Sequence, residues 1–159
     1  MENVKLEINM QFCQMSELSQ DEIELIEKAK AATASAYAKY SHFKVGAALR
    51  LKNGTIVIGA NQENAAFPSG LCAERTAVFA AQANFPEQPI ASLAIAASNE
   101  NGFLTDPITP CGSCRQVLLE IEDRYQQPVK IYLYGLSGVY VINSIKDLMP
   151  LSFVGKSMR

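Results

Sequence analysis

Segments patterned as strands and segments patterned as helices alternate along the 159 residues. A chain built this way buries its apolar faces most simply by laying helices on a mixed sheet. Val4, Leu6, Ile8, Met10 and Phe12 alternate with polar neighbours, which predicts a half-buried edge strand. Ser19-Gln20-Asp21-Glu22 reads as a capping box, in which serine and glutamate each satisfy an open backbone donor. Apolar residues at helical spacing follow it to about Tyr37. Residues 45–52 and 55–60 flank Asn53-Gly54, whose tolerance of positive φ predicts a hairpin with a type I′ turn. Beyond the breaker Pro68-Ser69-Gly70, the alanine-rich stretch 72–83 predicts a helix, and 90–97 a buried strand. A loop with Pro107 and Pro110 leads into a second such helix over 111–125. Strands follow over 129–134 and 139–143, and a short helix over 144–149. The whole is an α/β chain in which a sheet opened by an antiparallel hairpin is covered by helices.

Length suits one domain, residues 1–159, since single domains commonly run roughly 100–200 residues. Apolar residues make up 48%, so a core can close without disulfides or a structural metal, and any metal is free to be functional. The 14 Lys and Arg against 16 Asp and Glu include no basic cluster, which argues against a nucleic acid polymer as partner. With no cationic leader and no apolar run of about 18 residues, neither secretion nor membrane insertion is expected. Three of the four cysteines sit in tight local contexts that suit metal better than a disulfide framework, which points to a reducing cytoplasm.

Those contexts are Cys72-Ala73-Glu74 and Pro110-Cys111-Gly112-Ser113-Cys114, whose first sulfurs stand 39 positions apart and each of which opens a predicted helix. If the two helices lie side by side on one sheet face, Cys72, Cys111 and Cys114 converge. Three thiolates fill three corners of a zinc tetrahedron at about 2.3 Å and leave the fourth to water, the arrangement of a catalytic site. Three thiolates also leave the site anionic, which opposes acidification of that water. Two features offset this: the helix N-termini, and Arg75, placed to donate to sulfur. Glu74 stands near enough to carry protons without ligating, as displacement of an amine by water requires. Other readings stay open. Cys111-Gly112-Ser113-Cys114 alone suits thiol–disulfide exchange, and a closed structural zinc site needs a fourth protein ligand. Cys13, at odd parity on its strand, is a poor candidate for that ligand. The sole histidine, His42, reads as a surface residue.

The string Cys-Ala-Glu-Arg with Pro-Cys-Gly-Ser-Cys-Arg-Gln resembles the cytidine deaminases, specifically the small homotetrameric branch with all-cysteine zinc sites. Ser41-His42-Phe43-Lys44-Val45-Gly46-Ala47-Ala48, Asn61-Gln62-Glu63-Asn64-Ala65 and Leu148-Met149-Pro150-Leu151-Ser152-Phe153 extend the likeness over most of the chain after about residue 20. It implies a three-layer α/β/α sandwich on a mixed five-stranded sheet, with residues 1–18 as an N-terminal strand extension. It also implies one Zn2+ per chain on Cys72, Cys111 and Cys114, Glu74 as proton shuttle, and Arg75 on the thiolates. By the same resemblance Asn61 and Glu63 hold the ribose, Phe43 and the Ala73 backbone meet the base, and Phe153 reaches a neighbouring subunit's site. The expected activity is deamination of cytidine and deoxycytidine in pyrimidine salvage, with a blasticidin S-like nucleoside deaminase or a non-catalytic zinc or redox module as alternatives. Lys39 and Lys44 stand where the family commonly has proline, and Phe67 where it often has tyrosine. Without the resemblance, Asn61 and Glu63 read as turn residues, Phe43 as core and Phe153 as a hydrophobic plug.

Overall fold

The structure is a computed structural model and describes residues 1–158. Strand β1 (Met10–Cys13) precedes helix α1 (Gln20–Ala32), and the hairpin β2 (Lys44–Leu51) and β3 (Ile56–Ala60) follows. Helix α2 (Ala73–Asn84) leads to β4 (Ile90–Asn99) and the two-residue β5 (Gly102–Phe103). Helix α3 (Gly112–Tyr125) and the pair β6 (Lys130–Gly135) and β7 (Gly138–Ile142) complete the elements. The sheet runs β1-β7-β6-β4-β2-β3, with β5 paired to β4; only β4 and β6 are parallel. The expected five strands are β3, β2, β4, β6 and β7. The N-terminal strand and the short β5 bring the sheet to seven.

Period-two alternation splits the sheet into two faces. Val45, Ala47, Leu49, Leu93, Ile95 and Leu133 turn toward α2 and α3, where Ala73, Ala77, Leu118 and Leu119 meet them. Ala48, Ala94, Ala96, Tyr132 and Val139 turn toward α1 and its Leu25, Ile26 and Ala29. The result is three layers. Small residues set how closely the helices lie. A Cβ on Gly46 would collide with the Ala29 carbonyl oxygen, and one on Gly59 would fall 2.5 Å from both Ala73 O and Ala77 N. Gly59 therefore lets the first turn of α2 rest directly on β3, which fixes where that helix begins. None of the described helices is long and apolar enough to cross a membrane.

Several local expectations are corrected. Only Gly54, at φ 90°, takes positive φ in the β2–β3 turn. With Gly54 N donating to Leu51 O at 2.9 Å, the connection is a three-residue loop ending in a bulge rather than type I′. The period-two run over 4–12 pairs with β7 only from Met10, and its apolar residues are exposed. Cys13, not those residues, packs against the cluster under α1. Helix α1 stops at Ala32 and tightens into a 3₁₀ turn over Thr33–Ser35, where Thr33 Oγ1 bonds back to Lys30 O at 2.7 Å. The predicted closing helix is one 3₁₀ turn, Ile145–Leu148, capped by Ser144.

Candidate metal centre and adjoining cavity

Cys72 and Cys111 are the residues just before α2 and α3, both with extended backbone, while Cys114 lies in the first turn of α3 and is buried. Because α2 and α3 lie on the same face, the three sulfurs meet. Cys72 Sγ is 3.8 Å from Cys111 Sγ, which is 3.5 Å from Cys114 Sγ, and all three atoms lie within 4.8 Å of one another. Zn–S bonds of about 2.3 Å place tetrahedral sulfurs about 3.8 Å apart, so the donor set fits zinc in chemistry and in spacing. Among the described residues no fourth metal-binding side chain joins this cluster. Cys13 lies on β1 and packs toward the α1 face, away from α2 and α3.

The electrostatics follow from the helix starts. Burial disfavours the Cys111 thiolate, but the backbone N–H of Cys114, the neighbouring thiols and the N–H of Ser113 outweigh it, and the thiol is held below its ordinary range. Burial, and then the charge of Glu74, push the Cys114 thiol up. Arg75 Nη2 donates to Cys72 Sγ at 3.3 Å, supplying a positive charge beside the sulfurs. Glu74 is 4% exposed, and burial raises its carboxyl above the usual range despite its own N–H, Cys114 and Arg75. A buried carboxyl with raised proton affinity beside three sulfurs suits proton transfer.

Cys72 and Arg75 also line a cavity of about 560 Å³ whose other walls include Asn61, Glu63, Tyr40 and Phe67. That volume is in the range of small-molecule sites. Asn61 sits just past β3 and bridges to β2: its Nδ2 donates to Phe43 O at 2.9 Å, and its Oδ1 accepts from Val45 N at 2.8 Å. Glu63 accepts from Tyr40 N at 2.7 Å, Ser41 N at 3.3 Å and the Ser41 hydroxyl. The hydroxyl, then the Tyr40 N–H, hold its carboxyl below the ordinary range. Of the expected residues, the structure brings Asn61, Glu63, Cys72 and Arg75 to one cavity. Ala73 is fully buried at the start of α2, and Phe43 is half-buried against the sheet core. Phe153 is 58% exposed, with its carbonyl accepting from Gln116 Nε2 at 3.0 Å, away from the cavity of its own chain. His42 is exposed, 3.9 Å from Glu100.

Sequence reading missed three supports. Ser41 holds Glu63, and Tyr40 faces Phe67 edge-on at 6.4 Å along the cavity. Arg115 donates to Pro110 O, Leu148 O and Thr109 Oγ1 at 2.8, 2.9 and 3.1 Å, fixing the loop that delivers Cys111. Only the placement of Arg115 directly after Cys114 hinted at that role.

A family model described as "Cytidine and deoxycytidylate deaminase zinc-binding region" matches residues 19–127. A cytidine deaminase of Halalkalibacterium halodurans is 37% identical over 134 residues, 84% of this chain and 95% of that protein. One from Sporosarcina psychrophila is 39% identical over 129 residues, 81% of this chain and 88% of that protein. The crystal structure of a cytidine deaminase from Burkholderia pseudomallei superposes with a TM-score of 0.70 at 42% identity, over 82% of this chain and 97% of that one.

Proposed function

The chain belongs to the zinc-binding cytidine and deoxycytidylate deaminase family, and from that membership we propose that it converts cytidine and deoxycytidine to uridine and deoxyuridine by hydrolysis. Water replaces the 4-amino group, which leaves as ammonia. The observation that carries this reading is the convergence of three sulfurs from two helix starts beside one buried carboxyl and a cavity of nucleoside size. Cys72, Cys111 and Cys114 hold zinc, which when bound supplies the Lewis acidity that makes water nucleophilic near neutral pH.

The chain's own groups do the rest. Glu74 takes one proton from the attacking water and delivers it to the ring nitrogen. It then takes the second from the new 4-hydroxyl, as the carbonyl forms and the C–N bond breaks, and hands it to the departing amine. Its buried setting favours the acid form each time a proton arrives. Arg75 keeps the sulfur cluster from becoming too electron-rich. Asn61 and Glu63 line the sugar end of the cavity, where the ionised Glu63 accepts from a ribose hydroxyl. The family resemblance assigns the Ala73 backbone and Phe43 to the base. Phe153, exposed on its own chain, contacts the base in a neighbouring subunit of a homotetramer. The residues form a single domain, 1–159, with 1–18 as an extension. Reduced thiols suit the cytoplasm, where the enzyme acts on free nucleosides rather than on a polymer.

The test is the ultraviolet change on cytidine turnover, with and without a zinc chelator, and with blasticidin S as a second substrate. Glu74→Gln is expected to lower kcat by about 10²–10⁴-fold while zinc content and fold persist. Full activity after zinc is stripped, or a fully active Glu74→Gln enzyme, overturns the assignment of roles; faster turnover of blasticidin S than of cytidine overturns the substrate.

A further inference from the structure

The N-terminal arm lies outside the family match, which begins at residue 19, and the catalytic reading makes no use of it. Strand β1 forms one edge of the sheet: it pairs with β7 on one side, and no described strand pairs with its other side. Asn9 N donates to Asp147 Oδ1 at 3.1 Å where the arm leaves the body of the domain. Beyond that point Val4, Leu6 and Ile8 are exposed, and Met10 and Phe12 continue the same parity on β1. Met10 and Phe12 stand opposite Ile142 and Tyr140, and the Phe12 ring lies 4.9 Å from that of Tyr140. An alternating run beside an unpaired edge is a template for another strand.

We propose that the occupant is the same arm of a second copy of this chain, joined antiparallel about a twofold axis through Leu6. The register follows from the sequence. Pairing residues whose numbers sum to 12 sets Leu6 against Leu6 and Val4 against Ile8, apolar on apolar. The same register sets Lys5 against Glu7 twice by symmetry. Moving the centre to residue 5 opposes Lys5 to Lys5, and moving it to residue 7 opposes Glu7 to Glu7. Odd sums put apolar residues against polar ones. Among the even sums this one alone sets unlike charges opposite each other, and it joins the two arms just beyond the β1 strands without touching either cavity. The inference stands independently of the proposed reaction.

Sedimentation equilibrium tests it on the full chain, the chain lacking residues 1–9, Lys5→Glu, Glu7→Lys and the double variant. The full chain is expected to form particles of greater mass than the truncated one, twice the mass if the remaining domain is a monomer and larger linked species if it already carries several arms. Each single charge reversal opposes like charges at two places and is expected to weaken association by about tenfold; the double variant restores it. These substitutions lie on the exposed arm, outside both core clusters, so thermal melting of the domain serves as the folding control. Equal masses for full and truncated chains, or a double variant no tighter than the singles, overturns the proposal.

Discussion

At the scale of single residues, Glu63 and Asn61 do different work despite standing two positions apart. Glu63 is held below the ordinary carboxylate range by hydrogen bonds from the Ser41 hydroxyl and the Tyr40 backbone. It therefore stays ionised, and able to accept from a sugar hydroxyl, as pH falls past the usual glutamate value of about 4.3. Ser41→Ala removes the larger of those bonds. The acid rise of KM for cytidine then begins at higher pH while kcat is unchanged, as initial rates across pH will report. Asn61, by contrast, spends its amide on Phe43 O and Val45 N. Asn61→Ala is expected to raise KM and also to cost about 1–3 kcal/mol of stability, measured by denaturant unfolding, because two strand-end backbone groups lose their partner. The sulfur trio was legible because Cys72 on one side and Cys111 with Cys114 on the other each mark the start of a helix, a local signal in the sequence. The work of Ser41 and Arg115 was not, because their partners are held in place by loops whose paths only the folded chain defines.

At the scale of elements, the starts of the helices were the best-read features. Ser19 accepts from Glu22 N at 3.4 Å and Glu22 Oε2 accepts from Ser19 N at 2.8 Å, the reciprocal box that the sequence spells. What the sequence does not spell is that Glu22 also accepts from Lys130 Nζ at 2.7 Å and from the Tyr132 hydroxyl at 2.5 Å, tying α1 to β6 across 108 and 110 positions. Burial pulls this carboxyl upward, but the bonds from Lys130, Tyr132 and Ser19 outweigh it and hold it at about 2. A carboxyl lowered on folding adds stability above its unfolded value of about 4.3 and loses it as pH falls toward the folded value. Glu22→Gln is expected to lower Tm at pH 7 and to flatten the loss of Tm between about pH 5 and pH 2, followed by calorimetry. Element ends were harder to read. Whether Asn53 or only Gly54 takes positive φ, and where the N-terminal alternation finds a partner, depend on strands distant in sequence.

At the scale of the whole molecule, the two core clusters lie on opposite faces of one sheet, and the sulfurs sit at the starts of the helices that cover one of them. Folding is therefore carried by the sheet and its helices, not by the metal. Removing zinc with a chelator is expected to abolish turnover and lower Tm while leaving the far-ultraviolet circular dichroism unchanged at about 25 °C; readdition restores both. The layered architecture was legible from alternating patterns, whereas the order of strands in the sheet was not, because pairing joins residues as remote as Met10 and Ile142. That order threads β7 and β6 between β1 on one side and β4 on the other. A protease nick at the exposed Asn101 turn would thus yield two fragments that remain interlocked, with Cys72 on one and Cys111 and Cys114 on the other. Zinc would rivet the pieces together, and a chain cut in two on a denaturing gel would still be a whole catalyst in solution.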